Sequence, residues 1–268
     1  MKPFTGVTAL ITGASAGLGR EFALQLAPVA GAVVLVARRQ DRLTAVAAEL
    51  GALRPGLRVM VLAGDLGGTD FHPRLDALLA REGLEVDLLI NNAGLGDYGP
   101  FVDADPARIE AMLTTNIGAV VRLTRALLPG MIARRRGWIL QVSSVAGLLP
   151  LPGLAIYAAT KAFVTSFSEA LRLECIESGV HVTALLPGPV NTEFGRVATR
   201  PGAEEYVRIS PPFFKVPPEC VVASGLAAVA AGRPRVIPGW IPRVCMTLAA
   251  SLPLPLIRAI LRGRGGTG

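Results

Sequence analysis

The sequence predicts an α/β fold, a doubly wound sheet of about seven parallel strands with helices on both faces. Two observations carry this. Short β-branched runs recur along the chain, and most are apolar throughout rather than alternating, which marks strands covered on both sides. Amphipathic or Ala-rich segments of helical length separate them, and that alternation builds parallel sheets. The 268 residues suit one large domain, and a hydrophobic share of 51% supplies its core.

In order, the strands are "VTALITG" (7–13), "AVVLVAR" (32–38), "RVMVLAGD" (58–65), "VDLLINNAG" (86–94), "WILQVSS" (138–144), "VHVTALLPG" (180–188) and "RVIPG" (235–239). Helices are expected near 17–29, 41–51, 70–82, 106–133, 157–177 and 217–231. No linker, repeat or low-complexity block divides the chain, and the Pro-rich "PPFFKVPP" (211–218) reads as a loop.

Composition excludes several classes. Cys175, Cys220 and Cys245 lie far apart with no CxxC spacing, which suits a reducing compartment. His72 and His181 are isolated, so no metal site is expected. The start has one lysine and a short apolar run, no convincing export signal. "VCMTLAASLPLPLI" is shorter than the roughly 20 residues of a spanning helix and holds two prolines. The net charge of +7 favours acidic partners: a phosphorylated cofactor, an acidic carrier protein, nucleic acid or an anionic membrane. No aromatic-interleaved basic stripe supports nucleic acid.

The chemistry-bearing motifs sit at strand ends. "TGASAGLG" places Gly13, Gly17 and Gly19 between the first strand and first helix, where backbone and helix N-terminus can approach a pyrophosphate. The second strand ends in Arg38 and Arg39, where an acid would hold a free ribose hydroxyl; a guanidinium instead suits a 2′-phosphate. Asp65 ends the third strand, in reach of an adenine amino group. The "NNAG" segment (91–94) can leave room for a ribose. Ser144 ends the fifth strand, and Asn116 is a polar amide inside a helical stretch. Tyr157 precedes Lys161 by four residues, about one helical turn, so their side chains share a face.

Taken in order, "TGASAGLG", "NNAG", Asn116, Ser144, Tyr157-x-x-x-Lys161 and "PGPVNT" (187–192) resemble the short-chain dehydrogenases/reductases, over about residues 5–190. The resemblance implies a Rossmann-type NADP(H)-binding catalytic domain over 1–240, with 241–268 an apolar and basic C-terminal extension of that domain. It implies Tyr157 as general acid/base, Lys161 lowering its pKa and binding the nicotinamide ribose, and Ser144 donating to the substrate oxygen. Asn116 would hold a water behind Lys161. Implied cofactor contacts are Gly13, Ser15, Gly17, Leu18, Gly19, Arg38, Arg39, Asp65, Leu66, Asn92, Ala93, Gly94, Tyr157, Lys161, Pro187, Gly188, Val190 and Thr192. Ala16 stands where some NADP-dependent members carry a basic residue, so the phosphate contact rests on Arg38, with Arg39 and Ser15.

The expected activity is NADPH-dependent interconversion of a carbonyl and a secondary alcohol on a hydrophobic, lipid-like substrate. Segment 193–216 is the expected lid, with Phe194, Phe213 and Phe214 as lining. One alternative is a 3-oxoacyl thioester reductase whose acidic carrier docks on Arg134–Arg136 and Arg172. Another is a non-enzymatic NADP(H)-binding regulator. A homo-oligomer is expected, though the long C-terminus departs from the usual tetrameric ending. The protein is expected in the cytoplasm, with peripheral membrane contact through Trp240–Arg264 as one role for the tail, beside covering the pocket or meeting a second subunit.

Overall fold

The computed structural model describes residues 2–203 and 214–262. Seven strands form one sheet: β1 (Thr8–Thr12), β2 (Ala32–Ala37), β3 (Arg58–Ala63), β4 (Leu88–Asn91), β5 (Gly137–Val142), β6 (Val180–Leu185) and β7 (Arg235–Val236). Their order is β3-β2-β1-β4-β5-β6-β7, and every pairing is parallel. The winding direction reverses between β1 and β4, which opens a crevice beyond the carboxyl ends of these strands.

Alternate residues of each strand feed two cores. Ala9, Ile11, Val33 and Leu35 face α1 (Gly17–Leu26), α2 (Gln40–Leu53) and α8 (Pro218–Ala230), meeting Phe22, Leu43 and Leu226. Leu10, Val34, Leu89 and Ile139 face the other way, toward α3 (Phe71–Glu82), α5 (Val120–Ala133) and α6 (Ala155–Glu174), meeting Phe71, Leu123 and Leu171. The near-continuous apolar strands follow from this two-sided burial. Truncating a fully buried residue such as Leu35 to Ala costs about 2–5 kcal/mol.

Three regions depart from the expected elements. The stretch 106–133 is not one α-helix: α4 (Pro106–Leu113) and α5 flank a π-helical segment, Thr114–Ala119, that contains Asn116. After β6, the short α7 (Glu193–Ala198) leads into the lid region. Beyond β7 the chain forms α9 (Trp240–Ser251) and α10 (Leu254–Arg262), bent by 115° at a break that holds Pro253. Proline lacks the N–H that would continue the first helix.

Candidate active site

The strands deliver the predicted residues to one cleft. At the end of β1, Thr12 Oγ1 accepts from the amides of Asn92 (3.0 Å) and Ala93 (2.9 Å), while Asn92 Nδ2 donates to the Thr12 carbonyl at 2.9 Å. The glycine segment is thereby fastened to β4. Gly13 has φ +66°, and a Cβ on Gly19 would lie 2.2 Å from the Gly13 carbonyl, so the turn closes only without side chains. Helix α1 has Ala16 as its N-cap, with no side-chain cap and no acid in its first turn. Its leading N–H groups and positive dipole end therefore face outward, free to take a phosphate.

Around this turn lie the residues expected for the rest of a dinucleotide. Arg38 is exposed and has no partner among the described residues. Arg39 Nη2 donates to Ser15 Oγ at 3.1 Å and Nη1 lies 3.5 Å from Glu193. Asp65 Oδ1 accepts from the Gly67 amide at 2.8 Å, which fixes the loop that includes Leu66. Thr192 caps α7 by accepting from the Phe194 amide, and its side chain sits 3.4 Å from where a Cβ on Gly17 would be. Leu18 and Val190 pack against the first core. Phe214 passes Gly188, its carbonyl 3.5 Å from a Cβ there, while Phe213 lies outside the described residues. An open turn with free amides and two arginines beside it fits a phosphorylated dinucleotide.

The catalytic pattern assembles on α6. Tyr157 and Lys161 are both buried, and Lys161 Nζ lies 5.8 Å from the Tyr157 ring centroid. Lys161 donates to the Val142 carbonyl at 2.9 Å, and Ser143 Oγ donates to the Lys161 carbonyl at 2.7 Å. Ser144 hydrogen-bonds the phenol, accepts from the Ala146 amide at 3.1 Å and lies 3.5 Å from the Pro187 carbonyl.

Asn116 is fully buried. Its Oδ1 accepts from the Leu95 amide at 2.8 Å, and its Nδ2 donates to the Leu95 carbonyl (2.9 Å) and Thr160 Oγ1 (3.0 Å). The π turn sets this amide against the loop after β4, an arrangement that helical spacing does not disclose. A Cβ on Gly94 would stand 3.4 Å from both Asn116 Oδ1 and Lys161 Nζ, so the missing side chain leaves a small gap between them.

The electrostatics differ from expectation. Lys161 does not hold the Tyr157 phenol low: burial pushes it up to about 12, with the Ser144 hydrogen bond pulling the other way. Burial also brings Lys161 down to about 8. Desolvation disfavours both charged forms and is the largest cause in each. At neutral pH the phenol is a resident acid and the ammonium is retained.

The substrate side is aromatic. Tyr98 and Phe194 lie 5.9 and 5.7 Å from Tyr157, ring centre to ring centre, with Met112, Leu95, Leu154 and Ile156 around them. Sequence reasoning singled out Phe194 but missed Tyr98, Thr12 and Thr160. The position of Tyr98 just after "NNAG" was the available signal.

One expectation fails on position. Arg134–Arg136 and Arg172 lie at the amino ends of β4–β7, opposite the cleft. Arg134 pairs with Glu85, Arg136 with Asp87, and Arg172 donates to the Gly232 carbonyl. Six residues of strand, about 20 Å, separate that end from Tyr157, so a carrier docked there does not reach the cleft directly.

Residues 7–201 match the short chain dehydrogenase family. The chain is 36% identical over 217 residues, 78% of its length and 69% of the relative's, to the very-long-chain 3-oxoacyl-CoA reductase of Anas platyrhynchos. It is 32% identical to very-long-chain 3-oxoacyl-CoA reductase-B of Danio rerio over a 270-residue alignment, 97% of this chain and 80% of that one. A solved short-chain dehydrogenase from Sphingobium yanoikuyae, in complex with NADPH, shares the fold with a TM-score of 0.77 and 32% identity, covering 92% of this chain and 97% of that one. With the sheet order, the glycine turn and the Tyr157–Lys161 pair on one helix, this match places the chain in the short-chain dehydrogenase family, oxidoreductases that act on carbonyl and alcohol groups with a nicotinamide cofactor.

Proposed function

We propose that the protein is an NADPH-dependent reductase of long-chain 3-oxoacyl thioesters. Sequence alone leaves the thioester second to a general apolar ketone. The similarity to 3-oxoacyl-CoA reductases over as much as 97% of the chain reverses that order and carries the reading. The apolar side chains packed around Tyr157 accord with an acyl substrate.

When bound, the nicotinamide supplies the hydride that reaches C3 of the acyl chain. Ser144 donates to the 3-oxo oxygen, where negative charge grows. Tyr157 Oη gives its proton to that oxygen, completing the 3-hydroxy product. Lys161 holds the ribose, and the gap at Gly94 gives a water room to reprotonate the phenol. The phosphate-facing residues are Arg38, Arg39 and Ser15. With the phenol raised to about 12, the acid form predominates at neutral pH, the form that reduction requires. Absorbance of NADPH against 3-oxoacyl-CoA of graded length, with cyclic ketones and steroids as comparison, tests this. Preference for a non-thioester ketone would restore the general carbonyl reductase.

The tail belongs to the same reading, as a peripheral contact with an anionic membrane at its cytoplasmic face. Among the described residues, no single helix is long and apolar enough to cross a membrane. Instead α9 exposes Trp240, Val244 and Leu248 at four-residue spacing, Leu252 just after it is exposed too, and α10 exposes Leu256 and Ile260. No acidic residue follows Glu219, while Arg243 and Arg258 are exposed. This is the composition of a helix that lies in the headgroup plane. The inner side of α9 packs Met246 beside Val145 and Leu148, just after Ser144, so the tail adjoins the cleft. Trp240→Glu with Leu248→Glu should abolish co-sedimentation with phosphatidylserine vesicles while preserving short-chain turnover. Unchanged co-sedimentation would reject the contact. A homo-oligomer, with α6 offering Phe163 and Leu173 to a second copy, completes the proposal and is read by sedimentation velocity.

A further inference from the structure

Asp97 lies in the loop after β4 with its side chain 3% exposed, and it meets two arginines from distant parts of the chain. Arg200, after α7, grips it with both arms of the guanidinium: Nε to Oδ1 at 2.9 Å and Nη2 to Oδ2 at 2.5 Å. The remaining Arg200 nitrogen donates to the Pro100 carbonyl at 2.7 Å. Arg108, on α4, places Nε 3.3 Å from Asp97 Oδ1 and donates to the Val197 carbonyl at 3.3 Å. The backbone follows the side chains. The Tyr98 amide donates to the Ala198 carbonyl at 2.8 Å, the Arg200 amide donates to the Tyr98 carbonyl at 3.3 Å, and Tyr98 and Thr199 form an isolated parallel bridge.

This clamp ends at the reacting group. Tyr98, next to Asp97, stands edge-on to Tyr157, and Phe194, on the helix that Arg200 follows, leans on both rings. A buried ion pair is a poor means of stabilising a protein, because desolvation offsets the attraction, whereas a bidentate fork fixes geometry closely. Among the described residues, none of Asp97, Arg108 or Arg200 makes a side-chain bond to the glycine turn, Arg38 or Lys161.

We propose that Asp97 and Arg200 are positioning residues that join the loop after β4 to the segment after α7, and so set the spacing of Tyr98 and Phe194 across the acyl-binding side of Tyr157. The clamp thereby selects the group flanking the substrate carbonyl, without taking part in cofactor binding or proton transfer. It rests on the reading of Tyr157 as the reacting end of the cleft.

The decisive variants are Asp97→Asn, which keeps the shape and removes the charge, and Arg200→Lys, which keeps the charge and loses the fork. Hydrogen exchange reads the clamp without any substrate. In Asp97→Asn the Tyr98 and Arg200 amides should exchange at least about tenfold faster, while strand amides of β1 and β4 stay protected. With the best substrate of the wild type, KM should rise about tenfold or more, kcat should change less than about threefold, and NADPH affinity should hold within about twofold. Arg200→Lys should fall between the two proteins in both measurements. Unchanged exchange at Tyr98 and Arg200, or a loss confined to kcat, or a parallel loss of NADPH affinity, would overturn the proposal. If the wild type reduced no acyl thioester or ketone, the functional reading would fall and the exchange measurement would still decide the clamp.

Discussion

The two sides of the cleft are built by different means. On the cofactor side, short bonds between neighbouring strand ends do the positioning: Thr12 to Asn92 and Ala93, Lys161 to Val142, Ser143 to Lys161. Asn116 and Lys161 are 0% and 4% exposed there. On the substrate side, side chains from residues about a hundred positions apart hold two loops together, and beyond them Trp240 is 76% exposed. The Tyr157–Lys161 pair is set into the sheet, and the aromatic side chains beside it are strapped on by loops. Loops on a rigid scaffold can change specificity without disturbing the chemistry.

That contrast breaks if chemistry and cofactor binding cannot be separated on the sheet side. Tyr157→Phe keeps the ring that packs on Phe194 and removes the proton donor. Turnover should fall by about 10²–10⁴, with NADPH affinity nearly unchanged by fluorescence titration. Retention of more than a tenth of wild-type kcat would remove Tyr157 from the acid's role.

A smaller effect sharpens the cofactor end. Arg38→Asp removes a charge-assisted contact worth about 1.5–3 kcal/mol and puts a carboxylate where a ribose hydroxyl can use it. The ratio of kcat/KM for NADPH over NADH should fall by at least roughly tenfold. A wild type that already prefers NADH would sink the phosphate assignment.

The same division explains what the sequence disclosed. The seven strands were legible because two-sided burial leaves continuous apolar runs, and Tyr157–Lys161 was legible because one helix fixes a four-residue spacing. Asn116 could be picked out as an oddity, but not its π turn, since period alone does not reveal one extra residue per turn. Asp97 and Arg200 were invisible because nothing local relates residues that far apart. Arg134–Arg136 misled for the same reason: a basic run says nothing of which end of the sheet it occupies. The Tyr157 pKa was expected low from the nearby charge and lies high because burial, a tertiary property, dominates.

A further effect concerns stability and runs opposite to activity. Lys161 is charged and buried at neutral pH, with its pKa brought from 10.5 to about 8 by desolvation. The unfolded chain therefore binds more protons than the folded one between about pH 8 and 10.5, so this residue makes stability rise with pH across that window. Below about pH 8 the full penalty applies, on the order of 3 kcal/mol. Lys161→Met removes it and forfeits the hydrogen bond to Val142, about 1 kcal/mol. At pH 7 the inactive variant should thus be more stable than wild type by about 2 kcal/mol. By pH 10.5 the order should have reversed, because the penalty has fallen below the lost hydrogen bond. Urea unfolding at pH 7, 9 and 10.5 reads this directly. A variant less stable than wild type at pH 7 would mean that Lys161 is well solvated or well paired in the fold, and the sheet side would then carry no stability cost for its chemistry.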